Sequence, residues 1–353
     1  MAIVDLMRLT RSAASLSLCI ALSVALLGSF TAQAETAIHF TLDRKIDGPA
    51  APFFLAIDKG YFKDEGLDVT IDAATGGPLE AINRLAAGSD DMGVADINML
   101  IKVRDAANAP IKALFVVFDK PPYAIIARKS RGIDSPRSLE GKKLGAPAAD
   151  PAFAQWPIFA TINDIDAAKV TIENVGLPVR EPMLASGEVD AITGCAFTSY
   201  IDLKSSGVPA DDLVVLPMAD YGLVLYGDAI MASDRFAQAK PEAARAFLRA
   251  YLRALKDTVR NPARAIDALR AHDDSINKDV ELDRLRMALT DNIITPAVKI
   301  SGYGDVGPER FAAAVEQLAL AYHFKAKDKA AGAFDASFLP PAAERSASGA
   351  ASR

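Results

Sequence analysis

Cysteine is nearly absent from this chain: Cys19 and Cys195 are the only two in 353 residues. Cys19 falls in an N-terminal apolar run that reads as a removable segment, so Cys195 is left alone and no internal disulfide can form. Histidine is equally sparse. His39, His272 and His323 are scattered, and without a second cysteine no ligand set has zinc-like spacing. No block of lysines and arginines breaks the mixed-sign sequence, and a net charge of −6 argues against a nucleic-acid or anionic-membrane partner. There is no G-x-S-x-G elbow, no internal repeat and no long apolar belt in the body of the chain. Carboxylate pairs such as Asp90-Asp91 and Asp273-Asp274 sit in polar turns, where solvated charge is the ordinary explanation. Metal, nucleotide-hydrolysis and triad chemistry are therefore not indicated, and no cofactor is expected.

What is present is core material: 51% hydrophobic against 24% charged residues supports a globular protein large enough for two lobes. The first 34 residues differ from the rest. Arg8 and Arg11 precede an apolar run over 13–30, and Ala32-Gln33-Ala34 supplies small residues for cleavage, which reads as a secretory signal peptide cut after Ala34. An uncleaved anchor is the alternative, but the run is short for a spanning helix.

Beyond it, strands and helices alternate with short glycine and proline punctuation, the pattern of βα units wound into parallel or mixed sheets. Strands are expected over 37–42, 67–72, 92–95, 111–118, 123–128, 143–146, 170–174, 191–193, 213–216 and 229–232. Helices are expected over 241–260, 262–270, 280–292 and 308–324, three of them opening on a proline suited to the first turn. Asp119-Lys120-Pro121-Pro122 and Asp220-Tyr221-Gly222 look like chain crossings between lobes. The tail over 340–353 is small and polar, so disorder is expected there.

The richest segment is APFFLAIDKGYFKDEGLDVTI, over 51–71. Phe53, Phe54, Ile57 and Tyr61 recur at helical spacing, and Leu67, Val69 and Ile71 then alternate as in a strand. KGYFKDEGLDV, then TGGPLEAINRLAAG, then DDMGVADINML resembles the substrate-binding proteins of ABC importers for nitrate, sulfonates, taurine and thiamine-pyrimidine precursors, which share a domain with the thiamine pyrimidine synthases. The resemblance continues through SLEGKKLGAPAADPAFAQWP and GEVDAITG. It implies an α/β fold, a two-lobed periplasmic binding protein of type II, each lobe a mixed sheet flanked by helices. Lobe 1 would be discontinuous, over 35–119 and 225–339, with lobe 2 over 120–224. It further implies periplasmic capture of a small solute, delivery to an inner-membrane ABC permease, and a monomer. In the synthases a lysine and a histidine lie in the segment matching DDMGVADINM; here those positions are Ala95 and Met99, so neither Schiff-base formation nor histidine donation follows.

Binding chemistry in such folds comes from strand-end loops and helix N-termini. Arg44 and Lys45 follow the first strand and are placed to attract an anion, with a solvated loop charge as the plain alternative. Gly76 and Gly77 permit close backbone approach, although an ordinary turn explains them equally. Asp96 is a helix N-cap or an acceptor for ligand N–H groups, and Asn98 would face the same cleft. Asp150 reads as an N-cap in the other lobe. Phe153 and Trp156 share one helical face and either stack a planar ligand or pack the core. Arg180 is the best anion clamp available, unless it merely pairs with Glu181. Thr193 and Phe197 flank the GCAF turn around Cys195, itself read as a small buried hydrophobe. Asp119 and Tyr221 lie at the crossings, as ligand contacts or as hinge geometry alone. The charge balance leaves an amine, a pyrimidine, an aromatic acid and a sulfonate open.

Overall fold

The computed structural model describes residues 35–74 and 76–347; the expected signal peptide lies outside them. Ten strands form, one for each expected run: β1 Thr36–Leu42, β2 Leu67–Ala73, β3 Met92–Asp96, β4 Ile111–Val116, β5 Tyr123–Arg128, β6 Lys143–Gly145, β7 Thr171–Glu173, β8 Ala191–Cys195, β9 Leu213–Pro217 and β10 Asp228–Ser233. They divide into two five-stranded sheets, ordered β2-β1-β3-β10-β4 and β7-β6-β8-β5-β9. Both sheets are mixed. β1 runs parallel to β2 and β3, whereas β10 is antiparallel to β3 and β4. Likewise β6 runs parallel to β7 and β8, and β5 is antiparallel to β8 and β9. In each sheet the antiparallel strand is the one beside a crossing, so residues 117–122 and 218–227 carry the chain between halves.

One core lies between the first sheet and the late helices. Ile38, Phe40 and Leu42 of β1 are buried beneath the Ala51–Asp58 and Pro241–Arg260 helices. Phe40 lies 4.8 Å from Phe53 and 4.9 Å from Phe247, and Phe53 lies 4.5 Å from Tyr251, ring centre to ring centre. Ala244, Phe247, Leu248, Tyr251 and Leu255 recur at three- and four-residue spacing, which puts them on one face of the Pro241–Arg260 helix. Burying each large side chain contributes about 1.5–3 kcal/mol.

Glycine is required where the crossings meet. A Cβ on Gly227 would stand 2.8 Å from Phe118 Cβ and 3.3 Å from Pro121 Cα, so only a hydrogen fits. Gly227 N–H also donates to Phe118 O at 2.9 Å, tying one crossing to the other.

Two expectations are corrected. A single helix over 280–292 was expected, but the helix is Lys278–Ala288, opened by Asn277, whose side chain accepts from Asp279 N and Val280 N. It runs into a π turn, Leu289–Ile293, where Asn292 Nδ2 donates to Lys120 O at 2.9 Å and Asn292 O accepts from Lys120 N at 3.1 Å. The tail expected to be disordered from Pro340 is ordered at least through Ala347. Arg345 is buried and donates to Pro340 O, Tyr303 O and Asp305, so one guanidinium with enough acceptors anchors an otherwise featureless segment. Residues 348–353 lie outside the described residues. Among the described residues no helix is long and apolar enough to cross a membrane.

Candidate functional site

The carboxyl ends of β1, β3 and β8 meet the amino ends of β5 and β10. After β1 the chain continues through Asp43 and Arg44 to a tight turn, Gly48–Ala50, that leads into the Ala51–Asp58 helix. Arg44 pairs with Asp228, the first residue of β10, and its Nε donates to Asp43 at 3.0 Å. Its guanidinium sits 5.7 Å from the Phe118 ring centre. Asp43, Asp47 and Asp228 are all buried. A cavity of ≈20 Å³, room for about one water, lies among Arg44, Asp47, Phe53, Phe118 and Asp228. Burial pushes Asp47 up to about 6, because the pull of Arg44 and Arg284 is partly cancelled by Glu281 and Asp43.

At the end of β3, Asp96 caps the Ile97–Ala107 helix by accepting from Met99 N at 2.7 Å, and it also accepts from the Tyr123 hydroxyl. Asn98 Nδ2 donates to Tyr123 Oη and to Tyr226 O, both at 2.7 Å, while its Oδ1 is buried without a partner among the described residues. Burial lifts Asp96 to about 6, and hydrogen bonds from Tyr123 and Met99 N–H only partly offset that. Tyr322 is pushed up to about 12 by burial and by Asp96, and its hydroxyl donates to Ala154 O.

In the second half, Asp150 caps the Pro151–Ala154 turn through Ala152 N at 3.1 Å and accepts from Thr193 Oγ1 at 2.6 Å. Arg180 lies 3.5 Å from Asp150, donates to Glu181 at 2.6 and 2.9 Å, and reaches Ser199 Oγ at 3.2 Å. Asp150 is raised by burial despite Arg180 and Thr193. Cys195 ends β8 opposite Tyr123, near both Arg44 and Arg180. Burial pushes that thiol up to about 11, the unreactive direction.

The fold thus gathers Arg44, Asp96, Asn98, Asp150, Arg180 and Thr193 around the facing strand ends. Other expected residues stand apart from this cluster. Lys45 is exposed. Gly76 donates its N–H to Glu80 and borders an open groove with Leu79, Asn83 and Arg84, while Gly77 only takes a positive φ of 84° before the Pro78–Ala87 helix. Asp119 accepts from Thr295 Oγ1 at 2.5 Å and Arg310 Nη1 at 3.0 Å, so two later elements hold the residue at the first crossing. Trp156 is buried beside Phe159, which also meets Tyr221 edge-on at 6.3 Å; Phe153 packs at the margin of that core. Phe197 is fully buried and meets Phe118 edge-on at 5.7 Å. Arg180 is not a free anion clamp, because two carboxyls already surround it. Sequence reasoning missed Asp43, Asp47, Tyr123, Ser199 and Asp228; the signal available for Asp43 and Asp228 was their place at the site end of a strand.

Carboxyls outnumber guanidiniums here: Asp43, Asp47, Asp96, Asp150, Glu181 and Asp228 stand against Arg44 and Arg180. Such a cluster is best balanced by positive charge or N–H donors. Among the described residues no group of His, Cys, Asp and Glu is arranged to hold a metal ion.

Residues 49–265 match the model of the family described as NMT1/THI5 like. The 4-amino-5-hydroxymethyl-2-methylpyrimidine phosphate synthase of Aspergillus parasiticus is 28% identical over 226 residues, 62% of this chain and 65% of that protein. The formylaminopyrimidine-binding protein of Halalkalibacterium halodurans is 27% identical over 245 residues, 67% of this chain and 72% of that one. The match therefore spans slightly less than two thirds of the Aspergillus protein's length. Among solved structures, the periplasmic aliphatic sulphonate binding protein SsuA of Escherichia coli superposes with a TM-score of 0.66 at 15% identity, covering 82% of this chain and 92% of that one, a likeness of fold.

Proposed function

The chain belongs to the NMT1/THI5-like family, and from that premise we propose that it is the exported, monomeric solute-binding component of an ABC importer. It captures a small cationic or N–H-rich solute, of the aminopyrimidine type, between its two halves and delivers it unaltered to an inner-membrane permease. Export would use the segment over 1–34. The observation that carries this reading is the excess of buried carboxyls where the strand ends of both sheets face each other, with Asp47 and Asp96 each raised to about 6 by burial that their neighbours only partly offset. A ligand N–H or ammonium group relieves that deficit, and because both halves contribute, it stabilises their approach. A sulfonate would add charge of the wrong sign next to Asp43, Asp47 and Glu181.

Synthase activity, which the fungal relative's name raises, is disfavoured by the residues themselves. Ala95 is a buried methyl and Met99 a thioether, so neither offers an amine or an imidazole. Thermal-shift screening of the mature chain tests the ligand class, and an assay for pyrimidine formation tests the synthase reading. At a hundredfold excess over Kd, an aminopyrimidine should add about 2.7 kcal/mol and raise Tm by several degrees, while taurine, an alkanesulfonate and nitrate leave it unmoved. A shift with the sulfonates alone overturns the ligand class. Sustained pyrimidine production from pyridoxal phosphate overturns the binding role.

A further inference from the structure

Arg284 is among the most deeply buried side chains of the molecule, 2% exposed, and it is a cation. It projects from the Lys278–Ala288 helix. Its Nε donates to Glu281 Oε2 at 2.9 Å, its Nη2 to Asp202 Oδ1 at 2.9 Å, and its Nη1 to Thr198 O at 3.3 Å. Asp202 and Thr198 belong to the Ala196–Ser205 helix, which follows β8 of the second sheet. Glu281 also accepts from Gly48 N at 2.6 Å, and Gly48 opens the turn that follows β1 of the first sheet. A Cβ on Gly48 would collide with the Glu281 carbonyl, so that turn rests directly on the helix backbone.

One helix face therefore grips both halves. Glu281 holds the site loop of the first, Arg284 holds a helix of the second, and the two side chains are bonded to each other. Asp47, next to Gly48, feels both Arg284 and Glu281. Just outside, Lys204 and Asp283 pair across the same seam at 3.5 Å. A solvent groove of ≈400 Å³ already separates the two helices there, lined by Ile201, Ser205, Val280 and Arg286 among others.

We infer that Arg284 and Asp202 form a latch that sets how far the two halves stand apart and links that opening to the Asp47–Gly48 loop. They are positioning residues for solute capture, and the solute need not touch them. Drawing the halves apart takes Asp202 and Thr198 O away from a buried guanidinium, leaving it Glu281 alone. Charge-assisted bonds of this kind are roughly twice as strong as neutral ones, so the present spacing of the halves is favoured while the latch is intact. A change at the site loop, fixed to Glu281, alters the same network from the other end. This inference rests on the two-halved capture reading. Its test uses no solute, so its failure leaves the ligand assignment untouched.

Asp202 is 35% exposed, which lets substitutions there fold. Full-length Asp202→Asn and Asp202→Glu are compared with the parent by small-angle scattering and by amide exchange at Gly48 and over 198–202. Asp202→Asn is expected to increase the maximum dimension of the solute-free chain and to speed exchange at Gly48 about tenfold, with Asp202→Glu restoring both. Arg284→Gln should open the chain further; if that variant does not fold, the Asp202 pair decides alone. Scattering and exchange in Asp202→Asn identical to the parent overturn the latch. So does a lower Tm without either change, or failure of Asp202→Glu to restore them.

Discussion

Asp47 and Asp96 hold their protons to about 6, against an ordinary 3.8, because burial costs each anion more than its neighbours return. The folded state then binds more protons than the unfolded one between those values, so this contribution to stability is complete below about 4 and is lost as pH rises through about 6. For each group it is on the order of 3 kcal/mol. Asp212 and Asp335, which are held below the ordinary range, act in the opposite direction only at more acid pH. The urea midpoint of the solute-free chain should therefore be higher at pH 5.5 than at pH 7.5; an unchanged or lower midpoint would mean that both carboxyls are solvated. Solute affinity should move the other way. Protonating the same two groups removes the charge that draws a cation, so its Kd should rise on acidification through about 6, as titration calorimetry would read directly.

Among the elements, the Pro241–Arg260 helix shows how an apolar stripe tolerates one polar atom. Tyr251 is fully buried among Phe53 and Phe115, and its hydroxyl has no hydrogen-bond partner among the described residues, which pushes its ionisation far up. Tyr251→Phe keeps the ring and removes an unmet donor, so stability should be unchanged or rise by up to ~1–2 kcal/mol in urea unfolding. A loss beyond 1 kcal/mol would reveal a hidden partner. The elements themselves were legible where a short apolar run lies between glycine or proline stops, as with Leu67–Ala73 between Gly66 and Gly76, and where each late helix carries its own stripe. Helix limits were less so: at Asn277 a side-chain cap outweighs the apolar pattern that starts at Val280. The site was legible where local grammar marks it, as at the caps Asp96 and Asp150. It was not where the partner is remote: Arg44 meets Asp228, and Gly48 meets Glu281, only after the chain has crossed between sheets twice.

On the scale of the whole molecule, the two crossings are clamped to each other and to the C-terminal helices. Gly227 lies on Phe118, Asn292 grips Lys120, and Arg310 donates to Asp119 O at 2.5 Å and Leu225 O at 2.6 Å. Gly227→Ala forces a methyl against Phe118 and two prolines, whose backbone cannot yield, and should cost about 1–3 kcal/mol in urea unfolding; an unperturbed midpoint would show that the crossings are loosely joined. The placement of β10 between β3 and β4 has a consequence for biogenesis. Residues 111–116 take their ladder partner from 229–233 and single bridges from Gly304 and Phe334, so a nascent polypeptide that stops short of Ser233 carries an orphaned edge and cannot complete its first sheet. Such long-range pairing folds slowly, and most of the chain must be synthesised before its opening third can settle.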